Sequence, residues 1–342
     1  MGPLNHLSHG IGIDLGTTNT LIFLSHQGIV LREPSVVALD QTNQTLLAIG
    51  SEAEAMWRRN PASIVVQRPL SDGVIVGFDV ARQMLKQFIQ QVQKGQTLLY
   101  PQVVISSPIG ATSIEKRALA EVAAQAGARE VYLIDEPLAA AFGADLPVEE
   151  PIGNMVVDMG GGTTEIAVVS YMGTVVTESL RVAGNKFDEI ICRYVKKHHD
   201  LLIGEKTAEK IKIKIGTVYP HPQHDQATLE VSGLRLLSGL PGSVVLQGGE
   251  IREALAESMA RILSAIKRVL EKIPPELAAD LLDRGIVITG GGAHLKGIDA
   301  LISYETGLVV HLPSDPLSCV ALGVGKVLEN FKSLERVLQK RL

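Results

Sequence analysis

The sequence has little cysteine, no excess of basic charge and no long apolar run. Its two cysteines, Cys192 and Cys319, lie far apart and form neither a disulfide framework nor a metal-binding pattern. The net charge of -5 argues against a dedicated nucleic-acid-binding protein. No segment approaches the roughly 20 apolar residues of a transmembrane helix, and MGPLNHLSHG lacks the basic start and apolar run of a signal peptide. We therefore expect a cytoplasmic protein that is neither secreted nor membrane-spanning.

Length and periodicity indicate two α/β domains. The chain has 342 residues, whereas single domains usually contain about 100 to 200. Short apolar runs bounded by Gly, Pro, Ser or Asp predict buried strands at residues 11–13, 103–105, 155–157 and 286–288. Apolar residues at helical spacing predict helices over residues 114–126, 187–198, 251–273 and 275–283. This alternation of strands and helices is typical of the α/β class.

One motif occurs twice. DLGTTNTLIFLS, starting at Asp14, returns as DMGGGTTEIAVVS, starting at Asp158. Each copy is the end of an apolar strand, a turn rich in Gly and Thr, and a second apolar strand, which predicts a β-hairpin. Two common hairpins could share such turns by coincidence, but the matching order and chemistry favour two similar domains.

The turns of both hairpins have the composition of phosphate-binding loops. Turns of Gly and Thr can place backbone N–H groups and small hydroxyls around a phosphate, because no bulky side chain blocks close approach. One Gly-rich turn alone is weak evidence, since a plain hairpin explains most of them, but two such turns are more specific. The candidate residues are Gly16, Thr17, Thr18 and Asn19 in the first hairpin and Gly160, Gly161, Gly162, Thr163 and Thr164 in the second.

An aspartate precedes each turn at the end of an apolar strand. An unpaired carboxylate is costly to bury there, and a cation would offset that cost. Mg²⁺, held mainly through water by Asp14 and Asp158 beside nucleotide phosphates, is the natural candidate. The alternative is that each aspartate only caps its turn by accepting backbone N–H bonds.

A third glycine-rich segment follows the apolar strand that ends at Ile288. The sequence TGGGAHLKGI begins at Thr289, and its glycines would let a flat ring approach the backbone. A strand-to-helix turn without a ligand would explain this segment equally well on its own. Its value lies in its combination with the two hairpins.

The order of the two hairpins, the segment LIDEPLAAAFGA and the TGGGA turn resembles that of actin, sugar kinases and heat-shock chaperones. Longer segments resemble the MreB/Mbl family of bacterial actin homologues, including GIVLREPSVVAL, RPLSDGVIVGFDV and GEKTAEKIKIKIG. The resemblance implies duplicated actin-like (ribonuclease H-like) domains around an interdomain nucleotide cleft, each with a smaller inserted subdomain. The implied domain I is residues 1–145 plus 312–342, with an insert at about 33–67, and domain II is residues 146–311, with an insert at about 182–242.

The resemblance also implies roles for single residues. Glu136 would orient or activate the water that attacks the γ-phosphate, and its neighbour Asp135 stands where the family commonly has Glu. The residues implied to bind ATP are Thr17, Thr18 and Asn19, then Gly161, Gly162 and Thr163, then Glu209, Lys210, Ile211 and Lys212, and finally Gly290, Gly291, Gly292 and Ala293. Without the resemblance, Glu209 and Lys212 would be interpreted as a solvated helix face.

The implied function is that of an ATPase whose hydrolysis accompanies assembly into filaments, with paired protofilaments. The chain would be its own partner, would lie at the inner face of the cytoplasmic membrane, and would organise cell-wall synthesis and shape proteins. Leu98 and Leu99 match the family's membrane-insertion loop, although apolar loop residues more often turn towards the core. The alternatives are a sugar or metabolite kinase, for which we find no separate catalytic base, and a chaperone-type ATPase.

Overall fold

The computed structural model describes residues 10–57, 59–93 and 101–341, and the chain divides into two compact units. Unit 1 comprises Met1–Ile152, Val169–Thr174 and Leu317–Leu342, and unit 2 comprises Gly153–Val168 and Val175–Pro316. The domain boundaries implied by the resemblance lie near residues 145 and 312, whereas the two units divide after Ile152 and after Pro316. The tip of one hairpin, Val169–Thr174, is assigned to unit 1 although both its strands continue into unit 2.

Strands and helices alternate along the chain. The strands are β1 (Ile11–Leu15), β2 (Asn19–Leu24), β3 (Gly28–Pro34), β4 (Val37–Asp40), β5 (Leu46–Ile49), β6 (Ile64–Gln67), β7 (Leu70–Ser71), β8 (Val74–Ile75), β9 (Gln102–Ser107), β10 (Glu130–Asp135), β11 (Asn154–Met159), β12 (Thr164–Ser170), β13 (Gly173–Leu180), β14 (Leu201–Leu202), β15 (Thr228–Arg235), β16 (Pro241–Gln247), β17 (Ile286–Thr289), β18 (Val310–His311) and β19 (Gln339–Lys340). The helices are α1 (Gly50–Ala55), α2 (Phe78–Gln93), α3 (Ser113–Gln125), α4 (Glu136–Gly143), α5 (Gly184–His199), α6 (Glu205–Ile215), α7 (Pro222–Asp225), α8 (Gly248–Lys272), α9 (Pro275–Arg284), α10 (Ile298–Thr306), α11 (Cys319–Glu329) and α12 (Phe331–Leu334). Short 3₁₀ helices span Gly291–His294, Pro316–Ser318 and Glu335–Val337. The strands and helices predicted from periodicity all occur, with ends that differ by a few residues.

Unit 1 is built on a six-stranded sheet with the order β19-β10-β9-β1-β2-β3. Because successive side chains of a strand alternate between the two faces, Ile11 and Ile13 of β1 enter the core formed with α2 and α3. Gly12, between them, faces Val324 of α11 on the opposite side of the sheet. The sheet is therefore covered by helices on both faces.

Helices α4 and α11 cross at very short range in unit 1. A side chain at Gly323 of α11 would place its Cβ 1.7 Å from the carbonyl oxygen of Ala139 in α4. A side chain at Gly143 would collide in the same way with the backbone of Cys319. Glycine is required at both positions, and this close packing fixes α4 against the sheet.

Unit 2 repeats this architecture with the sheet order β13-β12-β11-β17-β18. In each unit a strand and its two successors form a meander, and two later strands add in parallel on the other side of the first strand. Strand β1 thus corresponds to β11, β9 to β17, and β10 to β18. The duplication inferred from one motif extends to five strands of each large sheet, and β19 of unit 1 is an additional edge strand.

Each unit also carries a smaller three-stranded sheet. In unit 1 its order is β5-β4-β6 and it packs beside α1, within the insert expected at about 33–67. In unit 2 its order is β14-β15-β16, and its last strand continues past the expected end of the insert near residue 242. The turns of the repeated motif follow β1 and β11 at the carboxyl ends of these strands in the two large sheets.

Candidate functional site

The first repeated hairpin forms a tight turn between β1 and β2 in unit 1. The N–H of Gly16 donates to the carbonyl of Asn19 at 3.0 Å, and a Cβ at Gly16 would lie 2.8 Å from that oxygen. Ser35 steadies the turn from outside, because its Oγ donates to the carbonyl of Gly16 at 2.7 Å and its N–H donates to that of Thr18. The side chain of Thr17 accepts a hydrogen bond from the N–H of Gly73 at 2.9 Å. The predicted residues Thr17, Thr18 and Asn19 therefore share one rigid turn.

Asp14 lies at the carboxyl end of β1, immediately before this turn. Ser106, at the end of the neighbouring parallel strand β9, donates from its Oγ to Asp14 Oδ1 at 3.0 Å. The carboxylate is half-buried. Its position is thus set by the sheet and by a hydroxyl that the sequence analysis did not select.

Glu136 is the first residue of α4 and follows β10 directly. Strands β1 and β10 both run parallel to β9, so their carboxyl ends, with Asp14 and Asp135, lie at the same edge of the sheet. Pro137 occupies the next position, where a helix tolerates proline because no intrahelical N–H bond is lost. The half-buried Glu136 side chain is therefore carried by the junction of a central strand and a tightly packed helix.

The second hairpin repeats this construction in unit 2. The N–H of Gly160 donates to the carbonyl of Thr163 at 2.9 Å, as Gly16 does to Asn19. The N-terminus of α5 closes over the turn, because Gly184 N–H donates to Gly160 O at 3.1 Å and Asn185 N–H donates to Gly161 O at 2.8 Å. The predicted residues Gly161, Gly162 and Thr163 therefore lie in one turn supported by a helix start.

Asp158 is the counterpart of Asp14, but it is buried. Thr289, paired with it on the parallel strand β17, donates from Oγ1 to Asp158 Oδ1 at 2.7 Å. Burial raises the pKa of the Asp158 carboxyl from 3.8 to about 6, and the hydrogen bond from Thr289 opposes this rise. Ser106 and Thr289 are thus equivalent hydroxyl donors to the two equivalent aspartates.

The TGGGA segment lies against this aspartate within unit 2. Gly290 has a φ of 76°, and a Cβ there would lie 2.5 Å from Met159 O and 2.9 Å from Asp158 Oδ1. Its N–H donates to Pro316 O at 2.9 Å. The predicted residues Gly290, Gly291, Gly292 and Ala293 form the turn and the 3₁₀ helix that follow β17. Backbone close to the carboxylate explains why glycine is needed here.

The predicted residues of α6 have different environments. Lys212 Nζ donates to Gly184 O at 2.9 Å and forms an ion pair with Asp188 at 2.8 Å, which brings its charge to the start of α5 beside the second turn. Glu209 is half-buried and Lys210 is exposed. Ile211 is completely buried in the core of unit 2. The face of α6 that carries Glu209 and Lys212 is therefore the one suited to a ligand, whereas the side chain of Ile211 is structural.

Nucleotide phosphates and Mg²⁺ fit the residues present. Each hairpin offers a turn without bulky side chains, and the Asp158 carboxylate becomes easier to ionise beside a cation. Within the described ranges, no cluster of three or more His, Cys, Asp or Glu side chains forms a ready metal cage.

The predicted membrane residues Leu98 and Leu99 lie outside the described residues. In the part of the chain that the structure describes, no helix combines the length and the apolar character needed to cross a bilayer.

Several residues that shape the site were not found from the sequence. They are Ser35, Gly73, Ser106, Gly184, Asn185 and Thr289. For Ser106 and Thr289 a signal existed, since each is a hydroxyl residue at the end of an apolar strand, in VVIS and IVIT. The remaining four residues contact the turns from separate segments of the chain, so no local sequence pattern identifies them.

Comparisons with known proteins agree with these features. The model of the MreB/Mbl protein family matches residues 8–336. Cell shape-determining protein Mbl of Bacillus subtilis (strain 168) is 48% identical over 326 residues, covering 95% of this chain and 97% of Mbl. Cell shape-determining protein MreB of Escherichia coli (strain K12) is 49% identical over 327 residues, covering 94% of each chain. The crystal structure of MreB5 of Spiroplasma citri bound to ADP aligns with a TM-score of 0.90 and 34% identity, covering 96% of this chain and 98% of MreB5. This alignment confirms the actin-like fold class.

Proposed function

Because the chain belongs to the MreB/Mbl family, we propose that it is an actin-like ATPase that assembles into filaments and helps to determine cell shape. The observation that carries the nucleotide part is the duplicated site, in which each sheet ends in an aspartate held by a hydroxyl and followed by a Gly-Thr turn. The relatives named as cell shape-determining proteins support the cellular role.

ATP is the proposed ligand, and MreB5, a relative of the same fold, binds ADP. Thr17, Thr18 and Asn19 bind the β- and γ-phosphates through turn N–H groups and hydroxyls. The second turn, from Gly161 to Thr163, binds phosphate in the same way. These turns are already closed by internal hydrogen bonds, so little conformational entropy is lost on binding.

The remaining predicted contacts recognise the nucleoside. Glu209 and Lys212 contact the ribose and base from α6, and the glycine turn from Gly290 supports the adenine. The proposal for this turn rests on the family motif, because the short backbone approaches at Gly290 are made to Met159 and Asp158 within unit 2. We assign no side-chain contact with the nucleotide to Lys210 or Ile211, which belong to the same helix as Glu209 and Lys212.

Glu136 is the proposed catalytic residue. Its carboxylate accepts a hydrogen bond from the attacking water and orients it for in-line displacement at the γ-phosphorus. Asp14 and Asp158 would be the residues that hold Mg²⁺ through its water molecules, and the ion would supply positive charge to neutralise the charge that develops on the phosphates. The turn N–H groups stabilise the same charge without reorganising.

Filament assembly and membrane binding complete the proposal. Leu98 and Leu99 insert into the inner face of the cytoplasmic membrane, where a Leu pair contributes only a few kcal/mol of burial. One subunit would bind weakly and a filament of many subunits would bind strongly, so assembly and membrane binding are coupled. Filaments at the membrane then organise the proteins of cell-wall synthesis.

The test of hydrolysis is a comparison of wild type with Glu136→Ala. We expect phosphate release to fall by about 100-fold or more, whereas ATP affinity and ATP-dependent pelleting stay near wild type, because the carboxylate acts on water. Phosphate release measured with an ATP-binding titration separates these effects. Loss of ATP affinity with unchanged turnover of bound ATP would assign Glu136 to nucleotide binding instead.

A further inference from the structure

The carboxylate that precedes Glu136 is used in an unexpected way. Asp135 occupies the N-cap position of α4, with φ -68° and ψ 133°. Aspartate is among the best N-cap residues, because its oxygens normally accept from the first free N–H groups of the helix. The Asp135 side chain makes no such bond. Its position therefore serves some contact other than helix capping.

That contact is an ion pair with α3. Lys116 Nζ donates to Asp135 Oδ1 at 2.8 Å, and only 12% of the Lys116 side chain and 21% of the Asp135 side chain are exposed. A largely buried, hydrogen-bonded pair of opposite charges holds its geometry far better than a surface pair does. The bond links the first turn of α3 to the last residue of β10.

Lys116 is itself held at a defined place. Helix α3 begins with a capping box, in which the side chain of Thr112 accepts from Glu115 N–H and the Glu115 carboxylate accepts from Thr112 N–H at 2.7 Å. This box fixes the first turn, and Lys116 follows in that turn. The ammonium group therefore reaches Asp135 from a rigid support.

The arrangement occurs in only one of the two units among the described residues. Strand β10 of unit 1 corresponds to β18 of unit 2, but β18 ends at His311 and leads into the segment before Pro316–Ser318 rather than directly into a helix. The strand-to-helix junction, its ion pair and Glu136 thus occur together. If the ion pair served only to stabilise the large sheet, a similar ion pair would be expected in unit 2 as well.

We propose that Lys116 and Asp135 are positioning residues for Glu136. By pulling the Asp135 carboxylate towards α3 and away from the start of α4, the ion pair sets the backbone direction at which β10 enters α4. The close packing of α4 on α11 at Ala139 and Gly143 holds the rest of the helix in place. Glu136, one residue beyond the ion pair, is thereby held where its carboxylate meets the attacking water. This inference rests on the proposed ATPase function.

The expected effect is on turnover and not on binding. Misplacement of a catalytic group by about 1 Å can reduce a rate on the order of 100-fold. We therefore expect loss of the ion pair to lower the rate of hydrolysis of bound ATP by about 10- to 100-fold. ATP affinity should change by less than about threefold, because neither residue belongs to the phosphate-binding turns.

The experiment uses the full chain with three variants at the pair and one matched control. Lys116→Met removes the cation, and the double variant Lys116→Met with Asp135→Asn also removes the charge left behind, which protects the fold. Lys116→Arg keeps a donor and should restore most of the rate. The control is Arg117→Met, which breaks the solvent-exposed ion pair with Glu121 on the same helix. Single-turnover hydrolysis, ATP affinity and thermal unfolding are measured for each.

The proposal predicts slow hydrolysis with near-normal ATP affinity in the double variant, recovery with Lys116→Arg, and wild-type kinetics for Arg117→Met. It is overturned if the double variant hydrolyses bound ATP at the wild-type rate while Glu136→Ala does not, an outcome that leaves the ATPase function intact. A parallel fall in rate, affinity and unfolding temperature would also overturn it, because the pair would then be merely structural. Absence of hydrolysis by wild type would refute both the proposed function and this inference.

Discussion

Asp158 provides a pH-dependent prediction that can be measured on the protein without ligand. The carboxyl is 6% exposed and accepts one hydroxyl hydrogen bond, from Thr289. Burial raises its pKa from 3.8 to about 6. The folded protein therefore holds this proton over a pH range in which the unfolded chain has released it.

The sign and size of the effect on stability follow from this difference. Below the unfolded pKa of 3.8 both states are protonated and Asp158 contributes nothing. As the pH rises towards about 6, the folded state binds more protons than the unfolded state, so the free energy of unfolding decreases. A shift of about 2 units corresponds to about 3 kcal/mol in full, of which about 2 to 3 kcal/mol is lost between roughly pH 4 and pH 7.

The assay compares wild type with Asp158→Asn, which keeps an oxygen to accept from Thr289 but carries no charge. Urea unfolding is followed across the pH range in the presence of a chelator and without nucleotide. Hydrogen exchange in β11 and β17 identifies the transition of unit 2, because a chain of two units need not unfold in one step. The contributions of all other carboxylates cancel in the difference. Asp299→Asn, at an exposed position in the same unit, is the matched control.

We expect wild type to lose about 2 to 3 kcal/mol relative to Asp158→Asn between roughly pH 4 and pH 7. The Asp299→Asn variant shows how far the loss of one negative charge at an exposed position of unit 2 changes the free energy of unfolding. A pH-independent difference between wild type and Asp158→Asn would show that burial does not raise the pKa of Asp158. So would a wild type that gains stability relative to the variant as the pH rises.

Three further results are expected. Gly16→Ala should weaken ATP binding by about tenfold or more, because the added Cβ overpacks the turn. Wild-type affinity in an ATP titration would contradict this prediction. Thr289→Val should move the pKa of Asp158 further upward, since it removes the hydrogen bond that lowers this pKa. If the pH dependence of unfolding stayed the same as in wild type, the hydrogen bond from Thr289 would have no effect on the pKa. Changing Leu98 and Leu99 to Ser should reduce binding to acidic lipid vesicles without preventing ATP-dependent pelleting, and unchanged vesicle binding would place the membrane contact elsewhere.

The local parts of the site could be predicted from the sequence. A Gly-Thr turn between two apolar strands forms a hairpin through contacts among neighbouring residues, so the turn at Gly16 and its repeat at Gly160 were recognisable. Repetition of the motif also predicted the duplication, which the matching sheet orders confirm. Helices such as α8 were predicted well because their apolar periodicity is long.

Parts that depend on distant residues could not be predicted in this way. Ser106 and Thr289 reach the aspartates only because β9 and β17 lie beside β1 and β11. The ion pair of Lys116 with Asp135 joins a helix to a strand and leaves no local pattern. In each case the determining contact is set by the packing of elements that are separate in the sequence.

One group of sequence-based assignments mixes two roles. Glu209 and Lys212 lie one turn apart on α6, where Glu209 is half-buried and Lys212 forms an ion pair with Asp188. Ile211 belongs to the same family motif, but it points into the core, where it is fully buried. The motif therefore includes a core residue beside the residues proposed to bind ligand, and the burial of Ile211 distinguishes it from them.

We propose that this chain couples ATP binding and hydrolysis to filament assembly. The most direct measurement follows pelleting and phosphate release in the same sample, with ATP, with ADP and without nucleotide, and electron microscopy identifies what pellets. We expect filaments that form only with ATP and release phosphate as they form. A protein that transfers phosphate to a sugar and does not pellet with any nucleotide would contradict it.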